Sequence, residues 1–407
     1  MTEPDTIEPG RLQPGIRAGI EAGLRRTAPP GPLPTENEPG LLELIRAEIA
    51  LSGPLTFARF MEIVLYDPDH GYYRSSTARP DRSGDFLTAP ETHPIFGATV
   101  ARRLAAAWTE LGRPDPFVVR EYGAGSGTLA VTILAGLRAE DSPLADAVAD
   151  ALVVDPVEVN VHRRAEFTAR LAVVGGRLRT AGADEPFSGV VLANEFLDAL
   201  PIHRVEQRGG RLHERFVDWD DEAGTLVERA AQPSTAGLAE RLDLDGVTLA
   251  EGQVGEICLG LDPWLAEVDA CLKQGLILIL DYGHRAADLY DPTRIGGSLR
   301  AYAGQRAHAD PFIALGRQDL TAHVDFSAVE ALAAGHGFRL LRDRSQAEFL
   351  VDSGLEELLG RVRSNPATTM ADWLAVRSAV ARLLDPGALG GFRAVELGRG
   401  LGSEAAH

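Results

Sequence analysis

From Phe117 onward, short apolar runs alternate with amphipathic stretches. FVVREYG reads as a strand, TLAVTILAGLRA as a helix and ALVVD as a strand. VHRRAEFTARLA is then a helix, and GVVLANEF and LILILDYG are two further strands. Strands that are apolar almost throughout must be buried on both faces, which predicts a mostly parallel sheet with helices on either side. The first strand runs into EYGAGSGTLA, where Gly123, Gly125 and Gly127 fall at alternate positions. Glycine loses more backbone freedom on folding than any other residue, so such a cluster marks backbone with positive φ or no room for a side chain. A strand that turns on glycines into a helix is where α/β proteins bring bare main chain against a nucleotide-like ligand.

Around this core the sequence divides further. Residues 1–40, rich in Pro, Gly and charge, read as a flexible tail. Leu41, Leu44, Ile45 and Ile49 recur at helical spacing, and FARFMEIVLYD is a second short helix stopped at Asp67-Pro68. Residues 41–115 are therefore an N-terminal helical region, and residues 116–401 the core. Between the last two strands, IHRVEQRGGRLHERFVDW reads as an antiparallel β-hairpin about Gly209-Gly210, within a substrate-facing insertion near residues 202–255. Ser327 followed three residues later by Glu330 predicts a capping box for a helix that stops at Gly337.

Charge and cysteine content narrow the partners. With 40 basic against 59 acidic residues the chain carries −19, which argues against a nucleic-acid backbone as partner and leaves solubility or a cationic partner as its meaning. Cys258 and Cys271 are too few for a disulfide framework or a cysteine-rich zinc site. No apolar run reaches the roughly 18 residues a spanning helix needs. The N-terminus lacks an apolar signal core, and Glu3, Asp5, Glu8 and Glu21 argue against a transit peptide. These features predict a cytoplasmic protein of bacterial type.

The glycine spacing is G-x-G-x-G, one residue short of the dinucleotide fingerprint G-x-G-x-x-G, which disfavours a nicotinamide oxidoreductase. The same spacing with an acidic residue just before it, here Glu121, is typical of class I S-adenosylmethionine (SAM) methyltransferases. No pyrophosphate needs cradling there. Asp155 ends the next strand, where its carboxylate would accept hydrogen bonds from both hydroxyls of a ribose.

Longer motifs then become specific. FMEIVLYDPDHGYY (60–73), GDFLTAPETHPIFG (84–97), REYGAGSGTLA (120–130), NEFLDALPIHR (194–204), DYG (281–283) and RQDLTAHVDF (317–326) occur in that order, followed by QAEFL and LLDPGALGGFRAV. Together they resemble the MidA family of SAM-dependent methyltransferases, over roughly residues 41–401. The resemblance implies a Rossmann-like class I core with an N-terminal helical extension and an inserted hairpin, and SAM as cofactor. It also implies a partner protein whose arginine receives the methyl group. By motif position it makes Gly123, Gly125 and Gly127 the SAM turn. It places Gly84, Asp85 and Phe86 in a segment that closes over the cofactor, and Asn194 and Glu195 where SAM meets substrate. Asp155 departs from the glutamate common in the family, and His93 from a frequent serine.

Arginine as acceptor sets a demanding chemistry. Its guanidinium is protonated and lacks a usable lone pair, so the site needs carboxylates that grip it, localise its charge and take a proton as the methyl arrives. Glu195 and Asp198, both in NEFLDALP, are the leading candidates and Glu91 the third. Asp198 could equally cap the turn into Ala199-Leu200-Pro201, and Glu91 a helix beginning near Pro94. His93 titrates in the useful range but stands alone in a loop, where packing is the commoner role. His323 and Asp325 could form half of a metal site, with no third ligand at convincing spacing, so a structural loop is favoured there. Tyr72 and Tyr73 either line a substrate channel or pack beneath the sheet, and Tyr282 is a candidate for the crevice wall. The leading reading is a SAM-dependent protein arginine methyltransferase; the alternative is a SAM-binding assembly chaperone of the same fold.

Overall fold

A computed structural model describes residues 35–74, 88–179, 185–303 and 306–401. Its centre is a seven-stranded sheet. The strands are β1 (Phe117–Tyr122), β2 (Leu152–Val157), β3 (Arg177–Leu178), β4 (Phe187–Asn194), β5 (Leu272–Asp281), β6 (Arg339–Ser345) and β7 (Arg393–Arg399). Across the sheet they run β6-β7-β5-β4-β1-β2-β3. The first five in sequence are mutually parallel, while β7 is antiparallel to both of its neighbours. The chain moves outward from β1 to β2 and β3, then returns to lay β4 on the other side of β1. That reversal opens a crevice at the strands' carboxyl ends.

Helices cover both faces, as the apolar strands require. On one face α1 (Ile95–Glu110), α2 (Thr128–Ala139) and α3 (Val161–Val173) bury Phe96, Leu104, Ile133 and Phe167 against Val119, Val154 and Leu278. On the other, α4 (Leu261–Cys271) and α5 (Phe326–Gly335) bury Leu265, Val268 and Val329 against Val191, Ile277 and Ile279. The architecture is the expected class I methyltransferase core.

The N-terminal helices at Leu41–Ser52 and Phe57–Tyr66 form where the periodicity predicts them. They build a separate apolar cluster with Val217, Leu226, Leu299 and Leu320. The expected hairpin joins His203–Arg208 to Arg211–Asp220 through Gly209 and Gly210, whose φ values of 58° and 71° suit a two-residue turn matched to strand twist. Two strands outside the reading, Thr225–Ala231 and Val254–Ile257, extend it into a larger antiparallel sheet. One local expectation is corrected. Asp325, not Ser327, caps α5, accepting from the amides of Ser327 and Ala328 at 2.9 and 3.1 Å. Ser327 is used elsewhere, its hydroxyl accepting from the Ala286 amide, and Glu330 pairs with Arg285.

Candidate active site

The glycine turn sits at the reversal point, between β1 and α2. Gly123, Gly125 and Gly127 have φ of 65°, 54° and 82°, a region L side chains rarely adopt. A methyl group on Gly127 would lie 2.7 Å from the Phe167 ring and one on Gly123 3.2 Å from Phe196. On Gly125 the nearest atom would be 3.9 Å away, so this residue leaves open space. That space belongs to a cavity of about 440 Å³.

Around the cavity stand Glu121 and Tyr122 from β1, the glycine turn, Glu158 after β2, Asn194 at the end of β4, and Glu195 and Asp198 after it. Tyr66, Tyr73, Tyr282, Tyr302 and Asp319 also line it, as do Val159, Phe196 and Trp264. Seven carboxylates line it (Glu91, Glu121, Glu158, Glu195, Asp198, Glu267 and Asp319), whereas among the described lining residues the one permanent cation is Arg163. Such a wall favours positively charged ligands.

The sequence-predicted carboxylate on β2 is corrected. Asp155 is absent from the cavity wall and is held by Arg120 at 2.8 Å and Arg179 at 3.1 Å. Strand β2 runs two residues beyond Asp155, which leaves it as a cross-strand partner of Arg120 and makes Glu158 the residue at the strand end. One Glu158 oxygen accepts from the Gly125 amide and the other from the Asn160 amide, both at 2.7 Å. A carboxylate has about four acceptor positions, so the two ribose hydroxyls of a nucleoside still fit.

The segment after β4 is held by a residue the sequence reading did not single out. Asp281, fully buried at the end of β5, accepts from the amides of Phe196 and Leu197 at 3.1 and 2.9 Å through one oxygen and from Tyr282 at 2.9 Å through the other. Burial and then Glu195 push its carboxyl up to about 7. This anchor turns Asn194–Asp198 toward the cavity. Glu195 takes φ of 49°, a left-handed conformation uncommon for its type, as happens where surroundings impose a functional geometry. Its Oε1 accepts from the Ala89 amide at 2.9 Å and the Asn194 side chain at 3.3 Å.

Asp198 is 6% exposed, and its Oδ1 has no hydrogen-bond partner. Tyr282 reaches it through its hydroxyl. Burial, followed by Asp281 and Asp319, holds the Asp198 carboxyl well above the usual range. The backbone amide of Ala199 also bonds the Asp198 carboxylate, the contact that its turn-capping alternative expects. Asp319, also outside the sequence reading, accepts from the Tyr73 hydroxyl at 2.7 Å.

The remaining candidates divide. Glu91 lines the cavity but also closes a capping box with Thr88 over the helical turn Ala89–Thr92, rather than a helix at Pro94. Burial pushes Glu121 up to about 8, with Glu158 adding to the effect. Tyr73 lines the cavity while Tyr72 packs into the N-terminal cluster. His93 lies off the cavity; its Nδ1 accepts from the Ile95 amide, and burial, then Arg382, lowers the imidazole to about 4. His323 packs against Tyr282 and His284, and among the described residues no group of three metal-capable side chains forms. Gly84, Asp85 and Phe86 lie outside the described residues.

Residues 99–342 match the family model of S-adenosyl-L-methionine-dependent methyltransferases. The chain is 30% identical over 356 residues to the mitochondrial protein arginine methyltransferase NDUFAF7 homologue of Drosophila melanogaster, covering 81% of this chain and 75% of the relative. It is 29% identical to human mitochondrial NDUFAF7, covering 78% and 74%. A crystal structure of a Burkholderia thailandensis protein bound to S-adenosyl-homocysteine is 32% identical, with a TM-score of 0.78 and coverage of 97% and 96%. The curated relatives carry mitochondrial names, which overturns the expectation of a cytoplasmic location.

Proposed function

The chain belongs to this family of SAM-dependent methyltransferases, and from that premise we propose that its methyl acceptor is an arginine side chain presented by a partner protein. The enzyme uses SAM, and its cavity suits that ligand. The Gly125 backbone leaves room beside the Glu158 carboxylate, and the wall is acidic where a sulfonium must lie. When bound, the cofactor supplies an electrophilic methyl carbon on sulfur. The protein's task is alignment, a proximity effect that can lower a barrier by roughly 7–11 kcal/mol.

In this reading Gly123 and Gly125 offer main chain to the cofactor, Gly127 keeps the turn packed on Phe167, and Glu158 takes the ribose. Glu121 and Asn194 flank the amino-acid arm. Gly84, Asp85 and Phe86 stay in the proposal by motif position alone. Glu195 and Asp198 grip the guanidinium between the tyrosines, and Asp198 Oδ1 receives the proton that leaves nitrogen as the new bond forms. Glu91 serves as the structural cap of the neighbouring turn. The observation that carries the proposal is the Asp198 oxygen, buried in the cavity wall without a partner. A cationic, planar donor group satisfies it where a neutral acceptor leaves its charge uncompensated. The printed names of the curated relatives, protein arginine methyltransferases, support the same acceptor.

The test is label transfer from methyl-labelled SAM into protein of a strain lacking this gene, followed by hydrolysis and identification of the labelled residue. Methylarginine is expected, with Asp198→Asn slower by about 10²–10⁴-fold while S-adenosylhomocysteine still binds. Label on another residue, or undiminished transfer by Asp198→Asn, would overturn the assignment.

A further inference from the structure

Two buried carboxyl oxygens, Oδ2 of Asp245 and Oδ2 of Asp325, have no donor group bonded to them among the described residues, and the two side chains meet each other. Leaving a buried oxygen unpaired is costly, and two carboxyl groups can bond only when one of them carries a proton. The ends of two helices decide which one does. Asp325 is the N-cap of α5, where its Oδ1 accepts from two amides at the positive end of the helix dipole. Asp245 directly follows the helix Gly237–Leu244, at the negative end, where an ionised carboxylate is disfavoured. The proton therefore sits on Asp245, which donates to an ionised Asp325.

The pair lies on a seam between the insertion and the core. The inserted helix Gly237–Leu244 buries Leu238 and Leu242 against Ala286, Leu289 and Tyr290. That stretch is itself fastened to α5, the Ala286 amide donating to the Ser327 hydroxyl at 3.0 Å. Three further charged or titratable groups face the pair. Arg241, on the inserted helix, draws both carboxyls toward ionisation, but its Nη1 makes no hydrogen bond among the described residues. Tyr290 donates its hydroxyl to the Glu256 carbonyl at 3.0 Å, and burial, then Asp325, keeps it protonated. Glu256 stands behind that tyrosine with Arg204 as its own partner. Burial raises both members of the pair, Asp245 to about 7.

We propose that Asp245 and Asp325 form a latch between the insertion and the core, closed while the two share a proton and weakened once both are ionised. The latch lies outside the cavity and holds whatever the methyl acceptor is. Its sign follows from the proton. With the inserted helix lifted away, Asp245 is solvated and titrates near pH 4. Between there and about pH 7 the closed seam holds the extra proton, so opening grows about tenfold per pH unit and levels off above about pH 7.

Hydrogen exchange of the full chain, read by mass spectrometry at about pH 5 and about pH 8 and corrected for the intrinsic exchange rate, tests this. Protection of residues 237–249 in the wild type should fall by about 100-fold between the two. Asp245→Asn supplies an amide donor to Asp325 that needs no titrating proton, so its protection there should stay nearly level. Equal wild-type protection at both pH values would overturn the proposal. So would an Asp245→Asn chain that keeps the wild-type fall, since the titrating group would then lie elsewhere. The variant is first checked by thermal melting; should it not fold, the wild-type comparison decides alone.

Discussion

Gly123, Gly125 and Gly127 share a positive φ but not a reason for it. Gly127 has no room for a side chain beside Phe167, and Gly123 little beside Phe196, whereas Gly125 borders open cavity. Gly125→Val should therefore fold, at about 1–2 kcal/mol for the left-handed backbone, yet weaken S-adenosylhomocysteine by about 100-fold or more. Gly127→Val should instead lose stability. Calorimetry beside a thermal melt separates the two, and a Gly125→Val protein with native affinity would contradict the placement. From sequence the three residues are indistinguishable, because each effect depends on what packs opposite. Asp155 and Glu158 teach a related lesson. The sequence reading ended the strand at Asp155, but β3 pairs only with Val153 and Val154, so Pro156 lies past that neighbour and its missing amide hydrogen is tolerated there.

At the scale of elements, the antiparallel strand β7 is tied into the molecule by charge as well as by its ladder. Glu396, 1% exposed, accepts from Arg103 of α1 at 2.8 Å and from Arg344 of β6 through its other oxygen. Two guanidiniums, themselves almost buried, share this carboxylate, and each has a second, more exposed partner, Glu110 for Arg103 and Asp352 for Arg344. Glu396→Ala should cost about 3–5 kcal/mol in urea unfolding, because it removes the buried partner and leaves each guanidinium only its exposed one. Glu110→Ala, at the more exposed end of the same network, should cost under about 1 kcal/mol. Equal costs would mean the buried pairing adds nothing. Asp281 works likewise at a distance from any methyl group, clasping the backbone that presents Glu195 and Asp198. A carboxylate at a strand end reads as ligand-facing in sequence; here the fold spends it on holding the turn.

For the whole molecule, the acidic interior leaves a signature in stability. Burial lifts Glu121 to about 8 and Asp281 to about 7, while unfolded carboxyls titrate near pH 4. Between those limits the folded chain holds more protons than the unfolded one, so stability falls as pH rises through the window, and the loss is complete above about pH 8. His93, lowered to about 4, acts oppositely and only below its unfolded value near pH 6.5. The ligand-free protein should therefore melt a few degrees lower at pH 8.5 than at pH 6.5, and Glu121→Gln should flatten the slope. An unaltered slope would place the titrating group elsewhere. The sequence by itself determined four of the central sheet's seven strands, helices on its faces, the glycine turn and the cofactor class. Those features live in local periodicity and contiguous motifs, which survive without knowledge of neighbours. Only the tertiary structure decided which carboxylate meets the cavity and which is spent on an arginine or an amide. Tyr73 meets Asp319 across 246 positions, and Trp264 meets Tyr122 from a helix past the inserted sheet. Contacts of that separation follow from chain reversal and packing, which no local pattern of residues records.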